Sequence, residues 1–261
     1  MRPTLVSSYH YDDWDRKCYS VRLADFKLRC FFLWEVSTQH PRIPFWVYAL
    51  YRLEVAAYFF VCWITYTIVG EKNLGPRFFV FLPFWTFTAA TCYVCCAFFN
   101  AVMDFVKSRR YDTFEDEFRY QIQWFFFNIT ATPSVTVTIL YWQYLFYFSS
   151  EKVPILLYVS IHILPTIVCL IDILITLIVV RFVHVIYPVL CLIIYLIFTF
   201  LYLSFGGTGL FENSIIRILD FESYAYGTRG LLSVVGVTLI TLPLQACFKG
   251  LYALRIRCMD N

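Results

Sequence analysis

The feature that most constrains this chain is a succession of apolar stretches, each about 20 residues or longer, between residues 45 and 251. A helix of about 20 residues crosses the ~30 Å hydrocarbon core of a bilayer. Hydrophobic residues make up 60% of the chain and charged residues 15%, whereas soluble domains contain about a quarter charged residues. Because lipid-exposed backbone must satisfy its own hydrogen bonds, these stretches predict membrane-spanning helices.

Six such stretches are present, and polar or turn-forming residues separate them. We therefore predict an all-α, polytopic transmembrane bundle of about six helices. The predicted spans are residues 45–69, 78–103, 121–148, 153–180, 184–205 and 230–251. The boundary between the fourth and fifth spans depends on Arg181, His184 and Pro188, because the surrounding sequence is almost unbroken apolar sequence.

The distribution of Lys and Arg orients the predicted bundle, because the cytosolic segments of multipass proteins are enriched in these residues. With both termini in the cytosol, the inner segments carry 15 of them and the outer segments carry five. Residues 1–44 lack the apolar run of a signal peptide, so we expect the first span to be uncleaved. The predicted organisation is a cytosolic segment (1–44), a six-helix transmembrane domain (45–251) and a cytosolic tail (252–261).

Charge and cysteine usage narrow the expected partners. A net charge of +3 is too small to indicate nucleic-acid binding. The expected partner is the lipid bilayer, in the plasma membrane or the endoplasmic reticulum. Cys92, Cys95 and Cys96 include a C-x-x-C spacing, but they lie within a predicted span, where Cys packs as a small apolar residue. We therefore expect no metal and no cofactor.

Ionisable residues at membrane depth are costly, and they mark pairing or function. At about 1.5 Å per residue, Arg52 and Glu54 lie ~10–14 Å from the cytosolic side, and Asp172 lies ~12 Å from the same side. Arg52 and Glu54 point about 200° apart on their helix, so they cannot easily pair with each other. The sequence predicts a structural ion pair between Arg52 and Asp172. In the alternative, Arg52 and Glu54 extend separately to the interface.

His162 is the other ionisable residue deep within a predicted span. It lies ~14 Å inside the fourth span, close to the bilayer midplane. A neutral imidazole can serve as a general base, bind a metal or hydrogen-bond another helix. No second His or Cys lies one turn away on the same face, which disfavours a zinc site. A catalytic role and a helix-bonding role are both consistent with the sequence.

Several segments carry a resemblance to a known family. They are the Arg-x-x-His-x-x-Tyr-Pro segment Val180–Pro188, the Tyr-rich stretch Tyr195–Tyr202, Gly206-Gly-Thr208, Ile161-His162, Leu170-Ile-Asp172, Tyr51-Arg52 and Thr138–Trp142. Together they resemble the rolling stone family of animal membrane proteins, from about residue 26 to the sixth span. The resemblance implies a multipass membrane protein with a role in membrane or cell-fusion events during development.

Rolling stone proteins are in turn distantly similar to the androgen-induced gene family, whose members cleave fatty-acid esters of hydroxy fatty acids with an intramembrane Thr and His. By this resemblance the His corresponds to His162, and the Thr position is occupied by Pro83. Proline has no hydroxyl to form an acyl intermediate, so Thr86, on nearly the same helix face, would be the substitute nucleophile. The alternative function is therefore an intramembrane lipid-ester hydrolase with a lipid ligand in the bundle, whereas Pro83 favours a non-catalytic role.

Overall fold

The computed structural model describes residues 44–108, 117–140, 155–176, 178–205 and 224–260. All of them belong to the second of two units of the chain, Glu35–Asn261, and the first unit, Met1–Trp34, lies outside the described residues. The described residues form seven α-helices and no β-strand, which confirms the predicted all-α bundle. The helices are α1 (Phe45–Leu74), α2 (Leu82–Ser108), α3 (Glu117–Leu140), α4 (Ile155–His162), α5 (Leu164–Ile175), α6 (Ile186–Ser204) and α7 (Tyr224–Asp260).

Among the described residues, three segments are long and apolar enough to cross a bilayer. They are Trp46–Asn73 in α1, Leu82–Val106 in α2 and Phe182–Tyr202, which contains α6. The pair α4 and α5 meets the same criteria jointly, although the two helices are bent by 46° at their break. Helix α3 is less apolar than these segments, and the count of six spans and the cytosolic placement of both termini stay predictions.

The predicted fourth span, residues 153–180, is divided in the structure. Helix α4 ends at His162 and α5 begins at Leu164, with Pro165 in its first turn. Proline lacks the N–H that an uninterrupted helix would use and its ring clashes with the preceding turn, so a new helix starts there. Helix α5 then ends at Ile175, and the 3-10 helix Phe182–Val185 leads into α6.

Helix α3 is the central helix of the bundle, because it contacts α2, α4, α5, α6 and α7. About half of its buried side chains are polar, namely Gln123, Asn128, Thr130, Thr132, Ser134 and Thr136. Hydroxyls among them donate to carbonyls of their own helix, such as Thr136 Oγ1 to Thr132 O at 3.1 Å. Polar groups at membrane depth are favourable only when protein satisfies them, which explains how a less apolar helix sits inside the bundle.

The outer faces of α1 and α6 are apolar. Phe60 on α1 is 50% exposed and Ile194 on α6 is 58% exposed, and both have large apolar neighbours on the same helices that are also exposed. Contiguous exposed apolar surface on this scale is unusual for a soluble monomer. Hydrocarbon, rather than water, is the medium that suits these faces.

Aromatic packing closes the connection between α1 and α2. The 3-10 helix Gly75–Val80 carries Phe78, whose ring lies 4.7 Å from that of Tyr66 and 4.9 Å from that of Phe84. Gly70 lies directly beneath this ring, since a Cβ at that position would be 2.2 Å from Phe78. Glycine at residue 70 therefore permits the close approach between α1 and the segment that follows it.

Candidate functional site

A buried carboxylate, Asp172, lies where α1, α2 and α5 meet. Arg52 Nη1 on α1 donates to Asp172 Oδ2 at 2.8 Å, and neither side chain is more than 1% exposed. The Tyr93 hydroxyl on α2 donates to the same oxygen at 2.5 Å. The Tyr51 hydroxyl donates to Oδ1 at 2.9 Å. The structure thus brings together the two residues that the sequence paired, and it adds a third helix to the contact.

The tyrosines around this ion pair were missed by sequence reasoning about charge. A buried ion pair is favourable only if further hydrogen bonds satisfy its remaining lone pairs, and phenolic hydroxyls supply them without adding charge. The Arg52 guanidinium also lies over the rings of Tyr48 and Tyr51, 4.9 and 5.2 Å from their centroids. Tyr51 is adjacent to Arg52 in sequence, which was a usable signal, whereas Tyr93 lies on another helix within apolar sequence.

Glu54, the acidic residue two positions after Arg52, lies outside this cluster. Its side chain is exposed on α1, whereas Arg52 is buried. The difference follows from helix geometry, because residues two apart point to opposite faces. Arg52 therefore faces the bundle interior, as the ion-pair hypothesis requires, rather than extending to the interface.

Residues 178–180, between α5 and the 3-10 helix that precedes α6, are buried and non-helical, so their carbonyls need other partners. Three side chains from α3 and α7 donate to carbonyls at or next to this connection. Arg255 Nη1 donates to Ile173 O at 2.8 Å and also to Thr176 O. Trp124 Nε1 donates to Val179 O at 3.2 Å, and Gln245 Nε2 donates to Arg181 O at 2.9 Å. These side chains replace the helical hydrogen bonds that hydrocarbon would otherwise leave unmade.

The Arg-x-x-His-x-x-Tyr-Pro segment forms the start of α6 and its preceding turn. His184 is fully buried, and its Nδ1 accepts the backbone N–H of Arg181 at 3.2 Å, which places the proton of a neutral ring on Nε2. The Trp124 ring lies edge-on to His184 at 4.6 Å and to Tyr187 at 5.2 Å. The same tryptophan thus packs on this segment and hydrogen-bonds the connection before it, so the motif has a clear structural role.

His162, the first of the two catalytic candidates, ends α4 and is buried. Its backbone carbonyl accepts the Thr138 hydroxyl of α3, and that hydroxyl also lies 3.0 Å from Thr166 Oγ1 on α5. The His162 ring stacks on Tyr158, with 6.2 Å between centroids. His162 therefore lies at the junction of α3, α4 and α5.

Thr86, the second candidate, lines a cavity of about 150 Å³ between α2, α3, α6 and α7. The cavity walls are mainly apolar and include Ile129, Pro133 and Leu192, and His162 is not among the lining residues. The structure therefore does not place both catalytic candidates on this cavity. Pro83 is the second residue of α2, where proline is favourable because the first helical N–H groups have no intrahelical partner.

Possible metal ligands are dispersed in the described ranges. No group of three or more His, Cys, Asp or Glu side chains with the geometry to hold a metal ion occurs among them. Cys92, Cys95 and Cys96 on α2 are free, half-buried thiols. They pack within the apolar part of the helix.

Comparison with known proteins gives a consistent result. The family profile described as Protein rolling stone matches residues 16–261. Protein rolling stone from Drosophila melanogaster is 25% identical over 221 residues, which cover 80% of this chain and 78% of that protein. No solved structure matches. Because the profile matches nearly the whole sequence, the resemblance carried by Val180–Pro188 and the associated segments is confirmed, and the chain belongs to the rolling stone family.

Proposed function

We propose that this protein is a non-catalytic multipass membrane protein that acts in membrane or cell-fusion events during development, in the plasma membrane or the endoplasmic reticulum. One observation carries the non-catalytic part of the proposal: the cavity that Thr86 lines does not include His162. A nucleophile and its general base must come within about 3 Å of each other. The presence of Pro83 at the expected nucleophile position supports the same conclusion.

The polar groups of the bundle also support a scaffolding role. Asp172 joins α1, α2 and α5 through Arg52 and two tyrosines, and it is fully buried. His184 is engaged with the backbone of its own turn. We infer that the Arg52–Asp172 ion pair is structural and holds the relative positions of the three helices.

Cell fusion provides the direct test. Muscle-precursor cells depleted of this protein are given back the wild-type chain, His162→Asn or Asp172→Leu, and the fraction of nuclei in multinucleate cells is counted. We expect wild type and His162→Asn to restore fusion equally, and Asp172→Leu to fail because the bundle is destabilised. Loss of fusion with His162→Asn, at normal protein abundance in the membrane, would contradict the non-catalytic role.

The hydrolase alternative is separated from this proposal by an esterase assay. Membranes carrying wild type, His162→Ala or Pro83→Thr are incubated with a fatty-acid ester of a hydroxy fatty acid, and product is compared with that from membranes lacking the protein. We expect wild type and His162→Ala to match the protein-free rate. Hydrolysis by the wild type that His162→Ala abolishes would replace the proposal with the enzymatic alternative.

A further inference from the structure

We propose that the cavity between α2, α3, α6 and α7 binds one acyl chain of a membrane glycerolipid, with the ester carbonyl of that chain accepting a hydrogen bond from Thr86 Oγ1. The site is distinct from the Arg52–Asp172 cluster, and it involves no bond cleavage. It adds a ligand to the non-catalytic protein described above.

The size and lining of the cavity suit a segment of hydrocarbon. Its volume of about 150 Å³ is comparable to that of an engineered apolar protein cavity that stays dry and admits benzene, so about six carbon atoms fit. The walls are formed mostly by apolar side chains, among them Leu82, Trp85, Pro133 and Leu192. In a bilayer, acyl chains are the abundant molecules that match such a space.

The hydroxyl of Thr86 distinguishes this cavity from a simple packing defect. Thr86 is 7% exposed, and its side chain makes no hydrogen bond with any other part of the chain that the structure describes. The three other hydroxyls on the cavity are already engaged, because Thr136 donates to Thr132 O, Tyr195 donates to Val80 O, and Thr241 has a partner as well. An apolar ligand with a single hydrogen-bond acceptor satisfies Thr86, since a buried donor left without a partner is costly.

The depth of Thr86 selects the ester carbonyl as that acceptor. Helix α2 has 27 residues and is therefore ~40 Å long, about 10 Å more than the hydrocarbon core. Thr86 lies eight residues, or ~12 Å, from the start of the predicted span 78–103, which places it in the outer part of the hydrocarbon on that side. The ester carbonyl at the head of an acyl chain is the nearest acceptor that a glycerolipid offers at this depth.

The location of the site is tested by photolabelling of the full-length protein. The purified chain is placed in nanodiscs of phosphatidylcholine containing a phosphatidylcholine with a diazirine about four carbons from the ester carbonyl of one chain. After irradiation, we expect mass spectrometry to find the label enriched at cavity-lining residues of α2, α3 and α6.

Ala89→Phe fills the cavity and is expected to reduce this labelling at least fivefold, whereas Val102→Phe, on the exposed face of α2, leaves it unchanged. Labelling that is uniform over the lipid-facing surface, or insensitive to Ala89→Phe, would overturn the proposal.

The role of Thr86 is tested by competition between ester-linked and ether-linked phosphatidylcholines with the same chains. The ether lipid lacks the carbonyl, so we expect the wild type to prefer the ester lipid by about threefold to tenfold, the range of one net hydrogen bond. Thr86→Val should abolish the preference, because it removes only the hydroxyl and keeps the shape of the side chain. Thr91→Val, which removes a hydroxyl bonded within the same helix, should retain it.

Other outcomes of the competition decide the identity of the ligand. An equal preference for ester lipid in wild type and Thr86→Val excludes the proposed hydrogen bond. A photoreactive sterol that labels the same residues more strongly than the phospholipid, and is displaced by Ala89→Phe, excludes an acyl chain as the occupant. Both of these tests measure lipid binding, so a negative result in either does not change the outcome of the fusion and esterase assays that test the proposed function.

Discussion

Arg52 and Asp172 are 120 positions apart in the sequence, yet Nη1 of the first and Oδ2 of the second are 2.8 Å apart with both side chains buried. The pair fixes α1 against α5, and the Tyr93 hydroxyl fixes α2 to the same carboxylate. One carboxyl group therefore joins three helices, α1, α2 and α5. We expect this cluster to limit how the three helices can pack, because the carboxylate keeps all of its partners only when all three are in place.

Removal of either charge should strongly destabilise the bundle. Arg52→Met leaves a buried carboxylate without its counter-charge, and Asp172→Leu leaves a buried guanidinium, and each change should cost about 3–5 kcal/mol. The double variant should lose less than the sum of the two, because the apolar pair leaves no unpaired charge. Unfolding in mixed micelles measures all three. Additive losses would show that the two side chains do not interact energetically.

The tyrosine on α2 should contribute a separate, smaller increment. Tyr93→Phe removes a hydrogen bond to a charged acceptor and should cost about 1.5–3 kcal/mol. Tyr195→Phe is the matched control, because its hydroxyl is also buried but donates to the neutral carbonyl of Val80 at 2.9 Å. That loss should be about 0.5–1.5 kcal/mol. Both are measured by the same unfolding experiment, and a larger loss for Tyr195→Phe would argue against a charged Asp172.

Gly70 should tolerate no larger side chain. A Cβ there would lie 2.2 Å from the Phe78 ring, which is itself held by Tyr66 and Phe84, so Gly70→Ala should cost about 1–3 kcal/mol through overpacking. Gly250→Ala is the control, since nothing lies within 4 Å of its added Cβ. That change should be neutral or stabilising by up to about 1 kcal/mol, because Ala is the better helix former.

A second-site change distinguishes a steric effect at Gly70 from a general intolerance of α1. Phe78→Leu provides a smaller and more flexible side chain at the point of contact. We therefore expect Gly70→Ala to lower the free energy of unfolding less in the Phe78→Leu background than in the wild type. An equal loss in both backgrounds would remove Phe78 as the cause.

The sequence predicted the apolar helices and the charge pair well, because both follow from strong local constraints. A run such as residues 45–69 is identified by length and composition alone, and α1 extends it only to Leu74. Arg52 and Asp172 were paired because a charge in hydrocarbon requires a partner, and their depths matched. Such arguments need no knowledge of which helices are neighbours.

The remaining features depend on tertiary contacts that local sequence does not encode. Thr86 and His162 both belong to predicted spans, but whether they share a cavity depends on how α2 and α4 are rotated about their axes. Likewise, Tyr93 is one of many aromatic residues, and only the packing of α2 on α1 and α5 gives it a role. Pro165 accounts for a break between α4 and α5, but local sequence does not give the size of the bend, which is 46°.

The buried connection between α5 and α6 should be the segment most sensitive to loss of Trp124. Trp124→Phe keeps an aromatic ring near His184 but removes the N–H that bonds Val179 O at 3.2 Å. A buried carbonyl left without its donor should cost about 1–3 kcal/mol, and the cost should be local because Arg255 and Gln245 still hold the two ends. Hydrogen exchange of the amides in residues 178–185 should therefore accelerate. Trp63→Phe is the control, because it removes an indole hydrogen bond to Thr88 Oγ1 between α1 and α2 and should leave the exchange of residues 178–185 unchanged. An equal acceleration of exchange in both variants would indicate general loosening of the bundle instead.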